Sequence, residues 1–95
     1  MTPLMLLSHY LFQPLTEALP TRGGGFLNTI QDALNYLGDL PPHRALRPHW
    51  RDASSAILEK AALAEVTRKV KFALVLDDEL DFARLGGPRW RLRDV

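Results

Sequence analysis

Apolar and polar positions follow a helical period in three stretches of the chain. Ile30, Ala33, Leu34 and Leu37 stand at i, i+3, i+4 and i+7, one face of a helix over residues 29–37. Asn28 or Thr29 is placed to cap its first turn, and Gln31 or Asp32 to complete a capping box. Gly38 ends this helix and Pro41-Pro42 prevents its restart. A second helix is predicted over residues 49–62, just after Pro48, with Trp50, Ala53, Ile57 and Ala61 as an inner stripe that Ala56 and Leu58 widen. A third is predicted from residue 63 or 65 to residue 82, with Val66, Val70, Ala73, Leu76 or Asp77, and Leu80 at helical spacing. Val70 to Leu76 is a short apolar run that also fits a buried strand. Helix is favoured there because residues 65–82 contain no breaker, and Gly86-Gly87-Pro88 supplies the stop.

Ahead of the helices, Tyr10-Leu11-Phe12 reads as a strand closed by Pro14, with residues 15–19 continuing it irregularly. Residues 21–25 read as a turn, because glycine takes positive φ at no steric cost, and Phe26-Leu27 as the second strand. The expected fold is therefore α+β: an N-terminal two-stranded hairpin packed on three helices. Its core is expected to hold Phe26, Ile30, Leu34, Leu37, Trp50, Ile57, Val66, Val70, Ala73 and Leu80. Residues 1–9 form an apolar leading segment, 10–83 the domain core and 84–95 a basic tail. In that tail Arg89-Trp90-Arg91-Leu92-Arg93 alternates long basic and apolar side chains, as an added edge strand or a loose arm does.

Composition narrows the classes of function. At 95 residues the chain is one domain. A net charge of +1 argues against a dedicated DNA-binding domain and leaves a local basic patch open. The absence of cysteine excludes disulfides, thiolate catalysis and cysteine-ligated zinc, and fits a reducing compartment. No Lys or Arg precedes Arg22, so the basic start of a secretory signal is missing, and Leu4 to Leu7 is too short to span a bilayer. A cytoplasmic protein without membrane association is expected.

Candidate chemistry is sparse. Gly23-Gly24-Gly25 after Arg22 invites a phosphate loop, but its spacing matches no nucleotide fingerprint, and a hairpin turn is the better reading. His43, Arg44, Arg47, His49 and Arg51 make the densest cationic stretch, and with Trp50 they have the ingredients to hold a phosphate and stack a base. The plainer reading is a solvated loop whose Trp50 anchors the second helix in the core. Of His43, His49 and Asp52, the last two stand three apart on one helix face, but two ligands do not make a metal site, and no metal or cofactor is expected. Asp77, Asp78, Glu79 and Asp81 crowd the end of the third helix, where acidic groups oppose the helix dipole, so compensation from Arg84 or from Arg89, Arg91 and Arg93 is expected. Ser8, Ser54 and Ser55 have no partners in a nucleophile pattern.

The order of elements, carried by Phe12-Gln13-Pro14-Leu15, Phe26 to Leu34, Trp50-Arg51-Asp52-Ala53 and Val70 to Leu74, resembles the small bacterial family Domain of Unknown Function 982. The resemblance spans residues 11–82 and rests on core positions. It implies a fold, with helix over residues 70–76, and no catalytic residues. The chain departs from that pattern where Gly38 to Pro42 replaces a tryptophan-proline pair, and in lacking a cysteine in the second helix.

Three functions are weighed. The first is a non-catalytic protein-interaction module, an adaptor, inhibitor or regulator of bacterial or mobile-element origin, binding another protein or itself as a homodimer. Its interface would use Leu4, Leu6, Leu7, Asp77, Asp78, Asp81 and Trp90. The second is a nucleic-acid-binding regulator using Arg44, Arg47, Arg51, Arg89, Arg91 and Arg93. The third, an enzyme, would need a pocket where His43, His49 and Asp52 converge, and is the least favoured.

Overall fold

The computed structural model describes residues 9–85. Its elements are β1 (Pro14–Pro20), β2 (Phe26–Thr29), α1 (Ile30–Gly38), α2 (Pro42–Ala45), α3 (Pro48–Leu58) and α4 (Leu63–Leu76), followed by a 3-10 turn at Phe82–Arg84. The fold is α+β. The tail, with its edge-strand alternative, and the leading segment up to Ser8 lie outside the described residues.

The first strand begins later than the sequence predicts. Residues 9–11 are helical, and Phe12 and Gln13 donate back to the carbonyls of His9 and Tyr10. Pro14, expected to close a strand, opens one; the first residue of a strand is a position where the missing N–H costs little. β1 and β2 pair antiparallel, Leu19 opposite Leu27 and Pro20 opposite Phe26, with a shift of register between Pro14 and Leu19. Gly24, at φ 113°, carries the turn between them. Side chains alternate along a strand, so only one of Phe26 and Leu27 can face inward. It is Leu27, against the fully buried Leu19, while Phe26 faces out under the Arg84 guanidinium, 4.7 Å from the ring centre. The expectation of a core Phe26 is thereby corrected.

The capping alternatives at α1 resolve to Thr29 and Asp32. Thr29 Oγ1 accepts from the Asp32 N–H, and Asp32 Oδ2 accepts from the N–H groups of Thr29 and Asn28. Between α1 and α3 the structure inserts α2, a single turn the sequence did not suggest, entered through Pro41-Pro42.

Both long helices stop earlier than predicted, and in the same way. Past the end of α3, Lys60 takes φ 55°; its N–H donates to Ile57 O and that of Ala61 to Ala56 O. Past α4, Asp78 takes φ 59°; its N–H donates to Val75 O and that of Glu79 to Leu74 O. Each is a Schellman ending with a non-glycine residue in the left-handed position. The expected helix over 65–82 therefore breaks at Asp77. Leu80 is buried as expected, but in an antiparallel bridge to Thr21 beside the hairpin rather than on a helix.

A left-handed conformation costs a non-glycine residue about 1–2 kcal/mol, and Lys60 is exposed. Lys60→Gly is expected to raise stability by about 1 kcal/mol, a rise of roughly 4–8 °C in Tm for a domain of this size. A thermal melt that is unchanged or lower would show that Lys60 bears no strain.

The core lies between the hairpin and the α3–α4 pair: Leu15, Leu19 and Leu27 from the strands, Ile30 and Ala33 from α1, Trp50, Ala53, Ala56 and Ile57 from α3, Val66, Val70, Ala73 and Leu74 from α4, and Leu80. Leu34 and Leu37 pack on its margin. Thr67, buried on α4, accepts from the Thr16 N–H at 2.9 Å and donates to Leu63 O at 2.7 Å, and Lys71 reaches Glu17 at 2.9 Å, so β1 is tied along α4. Tyr10 donates its hydroxyl to Ala61 O at 2.9 Å and fixes the start of the described chain near the head of α4.

Candidate functional site

The acidic run and the basic stretch meet. Asp77 caps the C-terminal end of α4, with its side chain 1% exposed. Its Oδ2 accepts from Trp50 Nε1 at 2.7 Å and from Arg44 Nη2 and Nε at 2.9 and 3.1 Å. Its Oδ1 accepts from Arg47 Nη1 at 2.8 Å and lies 2.8 Å from His49 Nε2. A carboxylate only accepts, so His49 carries its proton on Nε2 there.

This arrangement follows from local structure. Pro42 and Pro48 each open a helix; α2 carries Arg44, and the link to α3 carries Arg47, to the end of α4. The first turn of α3 supplies His49 and Trp50. Burial raises the cost of charge on Asp77, but the hydrogen bonds from Trp50, Arg44, His49 and Arg47 outweigh it and hold the carboxyl well below the usual carboxylate range. The Arg44 guanidinium is correspondingly held above its ordinary value, chiefly by the Asp77 hydrogen bond. The dipole-opposing charge that the sequence flags is thus compensated by Arg44 and Arg47, and at Asp81 by Arg84, which approaches to 2.9 Å.

The remaining sequence candidates scatter. Asp78 is exposed and 3.3 Å from Arg22, and Arg51 and His43 are exposed. Asp77 cannot contribute to an exposed acidic face, and Arg44 and Arg47 spend guanidinium N–H groups on it. Leu4, Leu6, Leu7, Arg89, Trp90, Arg91 and Arg93 lie outside the described residues.

Beside the Asp77 cluster a groove of about 480 Å³ runs between α3 and α4, lined by Pro48, His49, Asp52, Arg68, Lys69, Phe72 and Leu76. It brings together His49 and Asp52 but not His43. Asp52 is engaged by Lys69 at 2.6 Å and His49 by Asp77, and no Ser, Thr or Cys lines the groove. Among the described residues no three His, Asp or Glu gather as metal ligands do, and no helix is long and apolar enough to cross a membrane.

The sequence pattern does not disclose the outer face of α4, from which Phe72 and Leu76 wall this groove. Phe72, Val75 and Leu76 are 58%, 40% and 52% exposed. Phe72 is two residues from both Val70 and Leu74, which puts it about 160° round the helix from each of these core residues. The end of α4 is therefore apolar on its outer as well as its inner side, a pattern that belongs to helices covered on both. The signal is the unbroken apolar run from Phe72 to Leu76; of the alternatives Leu76 or Asp77 for the inner stripe, Leu76 faces out and Asp77 is the buried one. Compared with protein-family models, curated proteins and solved structures, the chain matches none of them.

Proposed function

We propose that this chain is a non-catalytic protein-interaction module that binds through the outer face of α4. The observation that carries this reading is the exposed cluster Phe72, Val75 and Leu76, set against a groove whose rim holds Asp52, Arg68 and Lys69. An apolar patch with a polar rim is the anatomy of a protein interface. The nucleic-acid reading loses ground because two of its arginines, Arg44 and Arg47, hold the buried Asp77. The enzyme reading finds no Ser, Thr or Cys in the groove, whose Lys69 and Asp52 engage each other.

Capture from a nuclease-treated lysate of the source cells tests this. The wild-type chain is expected to retain a protein in stoichiometric amount, and Phe72→Asp, with an unchanged circular-dichroism spectrum, to lose it. Capture that disappears with nuclease and falls steeply with salt would replace this reading with nucleic-acid binding.

A further inference from the structure

We infer that residues 44–50 form a preorganised receptor for a carboxylate, and that Asp77 is its resident ligand, replaceable by a small free carboxylate such as formate. This is independent of the interaction reading above. Every donor to Asp77 comes from this one segment: Trp50 Nε1 at 2.7 Å, Arg47 Nη1 and His49 Nε2 at 2.8 Å, and Arg44 Nη2 and Nε at 2.9 and 3.1 Å. The acceptor arrives from the far end of α4, 27 residues beyond Trp50. Trp50 and Arg44 hold one oxygen, Arg47 and His49 the other, so both ends of the carboxylate meet charged or buried donors.

The segment keeps its shape through contacts that do not use Asp77. Pro42 and Pro48 fix the backbone at the first turns of α2 and α3. The Arg47 N–H donates to Arg44 O, and those of Trp50 and Arg51 donate to Arg47 O, each at 3.0 Å. The wholly buried Trp50 ring stands 5.6 Å from the Tyr36 ring of α1. Removal of the Asp77 side chain therefore leaves two guanidinium groups, an imidazole and a buried indole N–H converging on one space. Donors that need not reorganise are the condition for holding an anion there. Arg47 and His49 reach the surface and mark the way in. Asp77 has φ −90° and ψ 2°, a conformation open to glycine, and Asp77→Gly frees the room of Cβ as well as of the carboxylate. Formate is the smallest carboxylate that can enter. Glu79, whose Oε2 lies 3.9 Å from Arg44 Nη1, is the intramolecular competitor.

The test is thermal unfolding of Asp77→Gly in sodium formate and in sodium chloride at equal ionic strength, followed by circular dichroism. Formate at about ten times its dissociation constant should raise the Tm of the variant by roughly 5–10 °C. The wild type, whose receptor is filled, should not respond. Pivalate, too bulky for the space, should act as chloride does. The Trp50 indole N–H proton, assigned by its absence in Trp50→Phe, should move toward its wild-type position as formate is added. A further Arg47→Gln should weaken that binding about tenfold. If Asp77→Gly is unfolded in buffer, sucrose is added to restore the fold, and the same titration is read in it. Formate binding that emerges only in Asp77→Gly/Glu79→Gln upholds the receptor, with Glu79 as its second internal ligand. A variant that formate neither stabilises nor refolds, with Glu79 present or replaced, overturns the inference. So does an equal response to chloride or pivalate, and so does an indole proton that formate leaves unmoved.

Discussion

Replacing Asp77 with Ala is expected to lower stability by about 3 kcal/mol, a drop in Tm of roughly 10–25 °C. The size follows from where each partner is left. Arg47 has 46% of its side chain exposed and Arg44 21%, so both recover hydration when the carboxylate is removed. Trp50 does not. It is wholly buried, and its indole N–H loses its acceptor at 2.7 Å without access to water. An unsatisfied buried donor costs about 1–3 kcal/mol. Loss of charge-assisted bonds and of the clamp between α4 and the Arg44–Trp50 segment accounts for the remainder. Partner substitutions should therefore grade by burial. Arg47→Ala should cost least, and Trp50→Phe, which removes the buried donor while Asp77 keeps Arg44, Arg47 and His49, should cost less than Asp77→Ala. Denaturant titration of the series checks this. An Asp77→Ala protein within 1 kcal/mol of wild type would mean that the cluster does not hold the fold and that its arginines serve something outside the chain.

The same cluster shows what the sequence could and could not disclose. The helix faces were legible because burial imposes a period: Ile30 and Ala33, Trp50, Ala53 and Ile57, and Val66, Val70 and Ala73 all face inward as their spacing requires. The hairpin was legible from its glycine turn, and the cap of α1 from Thr29 and Asp32. The end of α1 at Gly38 was legible too; the ends of α3 and α4 were not, because Lys60 and Asp78 occupy a conformation usually left to glycine, and nothing in either side chain announces it. The start of β1 is not legible because a proline fits the end of one strand as well as the first residue of another, and Pro14 is the latter. The meeting of Asp77 with Arg44 and Arg47, some thirty residues away, depends on how α2 and α3 are set against α4. Local pattern carries no information about such a contact beyond the presence of opposite charges. The acidic run announces a need for compensation, but for Asp77 it comes from Arg44 and Arg47, in a stretch that reads as a solvated loop, and that partnership is a tertiary fact. The outer apolar face of α4 is not legible because an apolar residue in a helix carries no mark of whether it points to its own core or away from it.

Stability is expected to fall steeply below about pH 4, and Asp77 to be the main single cause. The Asp77 carboxyl titrates far lower in the folded chain than in the unfolded one, where an Asp ionises near 3.9. Its stabilising effect is therefore fully present above the unfolded value. It is lost as pH falls from there toward the folded one, because the unfolded chain takes up the proton first. A carboxyl held two units low contributes about 2.6 kcal/mol, and the loss here is of that order. Asp81, lowered chiefly by its hydrogen bond from Arg84, acts in the same direction, so a residual slope is expected without Asp77. Urea midpoints for the wild type and Asp77→Asn, measured from pH 6 down to pH 2, should therefore converge as pH falls: the wild type starts far above the variant and loses that advantage in acid. Parallel curves would show that Asp77 ionises alike in both states, contrary to its contacts. The Asp77 side-chain carbonyl resonance, followed by NMR in the wild type, gives a second reading that needs no variant to fold. It should stay in its ionised position at pH 3, where an unperturbed carboxyl is already mostly protonated. A titration near the ordinary value would mean that the five N–H donors around Asp77 do not close on it in solution.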